Sequence, residues 1–576
     1  MTTNMMLNKP NECVDDALAG LISSVAGVIQ LKGHRVILRE DVEQLKREQK
    51  VTLLSGGGSG HEPAHAGYVG KGMLTGSIAG SVFTSPPTKS ILAAIKAVGT
   101  GNSAGTLLIV KSYTGDRLNF GIAAERAKAE GLRVEMIVVG EDCALSSENK
   151  MAGRRGLCGT ILIHKVAGAL AEDGKSLEEI IDVATRVANS MGTISVSLSP
   201  CSLPGSGPSF ELGHNEMELG LGIHGEAGIK RIKLLSACDT VATMLDHMTD
   251  ASNRSRLAIK DGDHVALVIN NLGGTSYLEL NIVAKEAIEY LVGKGVSVDR
   301  VYCGTFMTSL QMAGVSVTIM HLDNEGMIVK YLDKETAAVA WPKISTCPVG
   351  PCKYLEIPDN KVQMKSGEGT QGYTEEFQVL SRAVKAACDA ICSQEEHLNE
   401  LDRGGGDGDT GSTLKIGAEG ILSWLSTQKT PLSPSSVSMQ FASIAEDVMG
   451  GSSGALYSIF FTAASRVLKP TNNLQSYSEA LKEGMDAMMK YGGAEIGDRT
   501  MLDSLNAVYK VLSQDGEVGS CLADAAKAAE EMAEKTKNMV ARAGRASYVS
   551  SEKVTNPDPG AVAVAVWVRA VANSMC

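Results

Sequence analysis

Residues 51–67 read VTLLSGGGSGHEPAHAG, an apolar run that ends in four glycines within six residues. The run has the length and β-branched start of a buried strand. The glycines let backbone N–H groups come close to a small ligand. Further short apolar runs occur at 106–110 (TLLIV), 134–139 (VEMIVV) and 160–163 (TILI), with helical stretches such as 90–98 and 122–130 between them. Continuous apolar strands with intervening helices predict an α/β domain whose parallel sheet is covered on both faces. Ligands of such sheets collect at the carboxyl ends of the strands. Two loops there carry chemistry, 56–67 after the first strand and 111–116 (KSYTGD) after the second.

The glycine stretch lacks the G-K-S/T ending of a P-loop, and His61 stands where a dinucleotide fingerprint has its third glycine. His61 and His65 are four apart, but Pro63 breaks the helix that an H-E-x-x-H zinc site requires. His61 beside the glycines reads either as a general base or as a structural histidine. Lys111 and Asp116 offer a donor and an acceptor for a polyhydroxylated ligand, or an ordinary surface ion pair. In GLGIHGEAG (220–228), His224 stands between glycines with Glu226 close by. Its imidazole is a base or a nucleophile if exposed, and a structural group if buried.

Near Met191 the pattern changes. Residues 194–198 alternate, a Pro/Gly/Ser loop covers 200–208, and strands recur at 265–270 and 315–321. The expected layout is a first α/β subdomain at 9–192 and a second, with more strand pairing, at 193–341. Periodicity is lost across 342–372, which holds Pro348, Pro351 and Pro358, and this is the expected linker. Beyond it, Phe377, Leu380, Val384, Ala387 and Ile391 recur at helical spacing, so 373–572 is expected to be an all-helical bundle or barrel.

Within that helical part lies LDRGGGDGDTGST, 401–413, with Asp402, Asp407 and Asp409 inside eight residues. Carboxylates so crowded repel unless a hard cation neutralises them, and the glycines let them converge on one. DGD also occurs at 261–263, without a third aspartate or a glycine run, and reads as a plain loop. Ser452 and Ser453, in MGGSSGAL (449–456), open a helix and suit either phosphate or a simple cap. Arg499 and Thr500, in GDRTMLD, and Asp558, Pro559 and Gly560, in NPDPGA, form polar turns that line a nucleotide cleft or serve structure alone.

The 576 residues suffice for three or four domains. A net charge of −12 argues against nucleic acid and makes a metal the expected partner of any bound phosphate. The twelve cysteines lack zinc spacing and read as reduced thiols of a cytosolic protein. Residues 1–15 lack the pattern of a signal peptide, and no apolar run approaches membrane length.

The ordered set SGGGSGHEPAHAG, IVKSYTGDRLNFG, GLGIHGEAG, GDGDTG, MGGSSGALY, GDRTMLDSL and DPGA resembles the single-chain, ATP-dependent dihydroxyacetone kinase family, from about Cys13 to Ala570. The resemblance implies a substrate-binding α/β K domain, an all-helical ATP-binding L domain, and an active site divided between them. It implies that His224 binds the triose carbonyl as a covalent hemiaminal. Gly56, Gly57, Gly58, Ser59, Lys111 and Asp116 would hold the hydroxyls, and His61 and Asp116 would handle the proton of the attacking one. Asp402, Asp407 and Asp409 would hold Mg2+ on ATP. Asp407, Gly408, Asp409, Thr410, Ser452, Ser453, Arg499, Thr500, Asp558, Pro559 and Gly560 would line the nucleotide site. The animal members also imply D-glyceraldehyde as a substrate, FAD cleavage to AMP and cyclic FMN with Mn2+ or Co2+, and a homodimer. Gly404–Gly406 departs from the family's alanines beside a single glycine and loosens the loop. A phosphocarrier-dependent kinase and a non-catalytic carbonyl-binding regulator are the alternatives. The fused L domain without a phosphocarrier domain argues against the first, and the retained aspartates and histidines argue against the second.

Overall fold

The computed structural model describes residues 4–145, 154–342, 374–428, 430–469, 473–514, 517–549 and 555–575. The chain divides into two compact units, Met1–Glu356 and Ile357–Cys576. Apart from Pro342, the expected linker 342–372 lies outside the described residues.

The first sheet of the N-terminal unit comprises β1 (Val28–Gln30), β2 (Val36–Arg39), β3 (Thr52–Ser59), β4 (Gly76–Val82), β5 (Thr106–Lys111) and β6 (Val134–Val139). Its order is β1-β2-β4-β3-β5-β6. The four strands from β4 to β6 are parallel, while β1 and β2 add an antiparallel edge that the apolar pattern does not announce. Successive residues of one strand face opposite sides. Leu54, Leu108 and Val110 therefore pack with Ile91, Ile95 and Phe120 from the helices Thr88–Gly99 and Thr114–Ala129. Leu53, Leu107 and Ile109 pack with Ile161, Val166 and Ile180 on the other face.

That second face corrects one expectation. Residues 160–163 begin the helix Thr160–Glu172, not a strand, and every residue from Thr160 to Ala171 is buried. A helix buried all round shows neither period in its sequence, so a four-residue apolar run cannot be told from a strand. The helix lies close to its surroundings because Gly168 faces the chain at Gly72 and Met73 without a side chain.

The second sheet comprises β7 (Met191–Ser197), β8 (Glu216–Leu219), β9 (Lys230–Lys233), β10 (His264–Asn271), β11 (Ser297–Gly304) and β12 (Gly314–His321), in the order β11-β10-β12-β7-β8-β9. Only the β10–β11 pair is parallel, joined through the helix Tyr277–Gly293. Strand β7 runs through residues 192 and 193, so a subdomain boundary drawn there divides a strand. Its alternation of polar and apolar residues does not mark a wet face, since all of β7 is buried. Ile194 and Val196 enter the core, while Thr193 bonds Thr318 and Ser195 bonds the Leu221 carbonyl.

The two sheets of this unit meet just beyond β6. Asp142 forms a parallel bridge with Thr193 of β7. The fully buried Glu141 carboxylate accepts N–H bonds from Leu157 and Gly159, at 3.0 and 2.8 Å, and a hydroxyl bond from Thr193.

The C-terminal unit is all-helical among its described residues. The helices Thr374–Ser393, Thr410–Thr427, Pro434–Ile444, Gly451–Ser465, Leu474–Gly492, Met501–Leu512, Val518–Lys535 and Pro559–Met575 surround an apolar cavity of about 810 Å³. It is a barrel, not a bundle with a filled core. Among the described residues, no helix is long and apolar enough to cross a membrane.

Two stability experiments follow from this packing. A Cβ on Gly168 would lie 2.4 Å from Met73 Cα and 2.5 Å from the Gly72 oxygen, both backbone. Gly168→Ala is expected to cost the N-terminal unit about 1–3 kcal/mol in urea denaturation. Burial lifts the Glu141 carboxyl to about 6, against the pull of the Leu157 N–H. The native state therefore holds this proton more tightly than the unfolded chain does. Its contribution is full below about pH 4.5, falls as pH rises towards 6, and is flat above. In pH-dependent denaturation, Glu141→Gln should remove about 2 kcal/mol of that decline.

Candidate active site

The carboxyl ends of β3, β4 and β5 lie side by side, which brings the glycine stretch against Lys111 and Asp116. The glycines are not a loop, because β3 continues through Gly56, Gly57 and Gly58 to Ser59. A Cβ on Gly56 would strike the Ile78 oxygen at 2.2 Å, and one on Gly58 the Thr84 nitrogen at 2.6 Å. Gly57 faces inward, with Asp116 Oδ2 and Lys111 Cε each 3.4 Å from where its Cβ would be. Asp116 sits in the first turn of the helix Thr114–Ala129 and accepts a 2.5 Å bond from Ser85 Oγ. Ser59 turns away to donate to the Gly80 carbonyl.

His61 and His224 meet above this floor, their ring centroids 4.9 Å apart and edge-on. Phe83 and Tyr113 close the sides of His224 at 5.2 and 4.7 Å. His61 Nδ1 lies 2.8 Å from the Thr308 carbonyl, which can only accept, so the ring proton is on Nδ1 and Nε2 carries a lone pair. Burial, then the charge of Lys111 nearby, push the His61 imidazole well below its usual range, so it is neutral. His224 Nδ1 lies 2.6 Å from Glu226 Oε1, and the His224 N–H donates to Oε2 of the same carboxylate at 3.0 Å. A neutral His224 bonded in this way keeps its lone pair on Nε2.

Three buried polar atoms here have no hydrogen-bond partner among the described residues: Lys111 Nζ, His61 Nε2 and Tyr113 Oη. Buried polar groups are nearly always bonded, so a donor, an acceptor and a hydroxyl left unpaired around one recess mark a site built for a polar ligand. Burial also lowers the Lys111 ammonium's hold on its proton, opposed by Asp116 and Glu226. His65, four residues from His61, faces elsewhere. It shares Ser55 Oγ with His164, at 3.4 and 3.2 Å, beneath β3. Burial keeps both of those rings neutral, with His164 lowered to about 3.

In the C-terminal unit, Asp402 ends the helix Glu395–Asp402 and Asp409 stands just before the helix Thr410–Thr427. One carboxylate oxygen from each of Asp402, Asp407 and Asp409 lies within 4.8 Å of the others. Asp402 Oδ2 accepts the N–H groups of Gly408, Asp409 and Thr410 at 3.1, 3.1 and 3.2 Å, which folds the loop around the carboxylate. A Cβ on Gly406 would lie 2.1 Å from Asp402 Oδ1, so the last glycine of the run makes room for that side chain. Asp407 pairs with Arg545. An all-oxygen, anionic donor set on a wrapped loop fits a hard divalent cation.

The other expected nucleotide residues lie at helix starts and turns of the same unit. Ser452 and Ser453 open the helix Gly451–Ser465, and Met449 just before them packs on Gly417 of the helix that follows Asp409. Thr500 caps the helix Met501–Leu512 in a reciprocal box with Asp503. Gly560, beside Pro559 at the start of the last helix, faces Met501. Arg499 is placed otherwise than as a free phosphate ligand. It is 3% exposed and donates to the carbonyls of Thr536 and Asn556, at 3.2 and 2.6 Å, with Nη1 3.9 Å from Asp558. It ties three turns together. Burial raises the Asp558 carboxyl to about 6, and Arg499 pulls the other way.

Sequence reasoning missed several groups. Phe83, Ser85 and Thr308 carry no local signal, since Thr308 reaches His61 across 247 residues of chain. Tyr113 lies within the singled-out KSYTGD stretch, between Lys111 and Asp116, where its role was open to inspection. Arg545 follows Gly544, which has a φ of 70°, in a turn with no acidic neighbour to flag it.

Comparison with known proteins agrees with this division. The Dak1 domain model matches residues 19–340 and the DAK2 domain model residues 405–573. Triokinase/FMN cyclase of Homo sapiens is 50% identical over 575 residues, covering 99% of each chain. Dihydroxyacetone kinase 2 of Saccharomyces cerevisiae is 37% identical over 578 residues, covering 95% of each. The crystal structure of the dihydroxyacetone kinase of C. freundii in complex with AMP-PNP and Mg2+ covers 100% of both chains, at 36% identity and a TM-score of 0.66. With both domain models in order and relatives this similar over nearly the whole chain, the protein belongs to the dihydroxyacetone kinase family, as a Dak1 domain followed by a DAK2 domain.

Proposed function

We propose that this chain is an ATP-dependent triose kinase that phosphorylates dihydroxyacetone and D-glyceraldehyde, and that it also cleaves FAD to AMP and cyclic FMN. The observation that carries the kinase reading is the recess at His224. An oriented imidazole nucleophile faces a glycine floor and three unpaired buried polar atoms, a fit for a small carbonyl compound rich in hydroxyls. The FAD reaction rests on the similarity to triokinase/FMN cyclases over nearly the whole chain.

Addition of His224 Nε2 to the triose carbonyl carbon forms the N–C bond and moves the π pair onto oxygen, which takes up a proton. Glu226 balances the charge that the imidazole gains. This attachment separates a triose from glycerol, which has no carbonyl to attack. Lys111 and the N–H groups of the glycine stretch hold the hydroxyls. Asp116 and the neutral His61, each able to accept a proton, serve the hydroxyl that attacks phosphorus. Asp402, Asp407 and Asp409 would hold Mg2+, which neutralises polyphosphate charge when bound. Mn2+ or Co2+ at the same carboxylates would serve FAD cleavage. Ser452, Ser453, Thr500 and the turn Asp558, Pro559, Gly560 line the nucleotide site, with Arg499 as its internal brace.

The DAK2 domain and its three carboxylates favour this reading over a carbonyl-binding regulator. Multiple turnovers of dihydroxyacetone with ATP as sole phosphoryl donor would exclude the phosphocarrier version, and a homodimer is the expected assembly. A coupled ADP-release assay on dihydroxyacetone is the direct test, and no ADP release above the substrate-free rate would end the proposal.

Two substitutions assign the two sites. His224→Ala is expected to raise the KM for dihydroxyacetone at least about tenfold, while FAD cleavage stays near the parent rate. Asp407→Ala is expected to abolish both reactions, and normal kinase turnover in that variant would show the carboxylate assignment to be wrong.

A further inference from the structure

The carbonyl site contains an electrostatic difficulty. A carboxylate 2.6 Å from His224 Nδ1 orients the ring, but a lone carboxylate at that distance also favours the imidazolium, which has no lone pair on Nε2. An oriented nucleophile therefore needs a third group to temper Glu226.

Arg155 is in place to do so. It comes from the segment before the helix Thr160–Glu172, and its guanidinium is fixed at two points. Nε donates to Asp142 Oδ2 at 2.6 Å, and Nη2 to the Gly220 carbonyl, where the His224 loop begins, also at 2.6 Å. The third nitrogen, Nη1, is buried and has no hydrogen-bond partner among the described residues. A Cβ on Gly222 would lie 2.7 Å from Arg155 Nη1 and 2.0 Å from Glu226 Oε2. Cation and carboxylate thus close on the same glycine, and only the absence of a side chain there lets them approach. Among the described residues, the other charged or titratable groups near the ring include Lys111 at the end of β5 with Asp116 beside it, Tyr113 beyond Lys111 and His61 after β3. Glu141 and Asp142 stand behind Tyr113.

We propose that Arg155 is a positioning residue of the triose site: across Gly222 it shares the charge of Glu226, so that Glu226 orients the His224 imidazole without holding it protonated. This rests on His224 being the carbonyl-binding residue. Arg155 does not touch the triose. It connects the charge state of the nucleophile to Asp142, in the joint between the two sheets.

The test is the pH dependence of kcat/KM for dihydroxyacetone in the full-length protein with Mg2+ and ATP. Arg155→Met is expected to move the acid limb to higher pH by about one unit and to lower kcat/KM near neutrality by about tenfold. FAD cleavage should be unchanged, and Arg155→Lys should bring the limb most of the way back. Should Arg155→Met not fold, Gly222→Ala, which drives the two groups apart, is expected to give the same displaced limb. Lost activity with the acid limb unmoved would mean that Arg155 only anchors the loop, and unaltered kinetics would dismiss it altogether; either result overturns the proposal. His224→Ala in the same assay keeps the two ideas apart. If that variant retains parent kinetics, the carbonyl assignment has failed, whatever Arg155 does.

Discussion

A single buried carboxylate, Glu141, holds the N-terminal unit together at the point where its chemistry is assembled. An ionised group with no access to water is costly unless its lone pairs are satisfied. Glu141 is satisfied by N–H groups ahead of one helix and a hydroxyl from the second sheet. Those donors come from two separate stretches of chain, so the carboxylate is satisfied only when both are in place. Its neighbour Asp142 extends the same joint to Arg155, and through Arg155 to the loop that carries His224. The registry of two sheets thereby becomes the registry of a nucleophile.

The two candidate centres solve opposite electrostatic problems. In the triose recess, burial strips charge away: His61 is neutral, and Lys111 is destabilised as a cation. The groups that remain can move protons at little cost. In the helical unit, three carboxylates are kept near one another by backbone N–H donors and by Arg545, which stores negative charge for a cation to use. One site is stripped of charge at its histidine base, and the other is charged and waiting.

Much of this was legible in the residues. The glycine run after an apolar strand, the clustered aspartates and the helical spacing after 373 each reflect a local physical demand, and local demands leave local patterns. The strand-like run at 160–163 misled because a helix buried on every side has no wet face to impose a period. The alternation in β7 misled in the opposite sense, since its polar face is buried against Thr318 and the Leu221 carbonyl instead of water. Phe83, Thr308 and Arg155 could not be found at all, because what makes them relevant is a partner elsewhere in the chain. Arg499 was found for the wrong reason: an arginine in a polar turn suits phosphate, but this one is buried on carbonyls.

The floor of the triose recess is main chain, and the surroundings allow no alternative at Gly56 or Gly58, where any Cβ would meet backbone of β4 or the turn after it. Side chains can be exchanged one at a time, but a surface of amides cannot be resized that way. The depth of the recess is therefore an inherited constant of the sheet, and drift towards larger or smaller carbonyl compounds has to come from its walls, Phe83, Tyr113 and the His224 loop. Selectivity in such a protein evolves sideways, around a base that does not move.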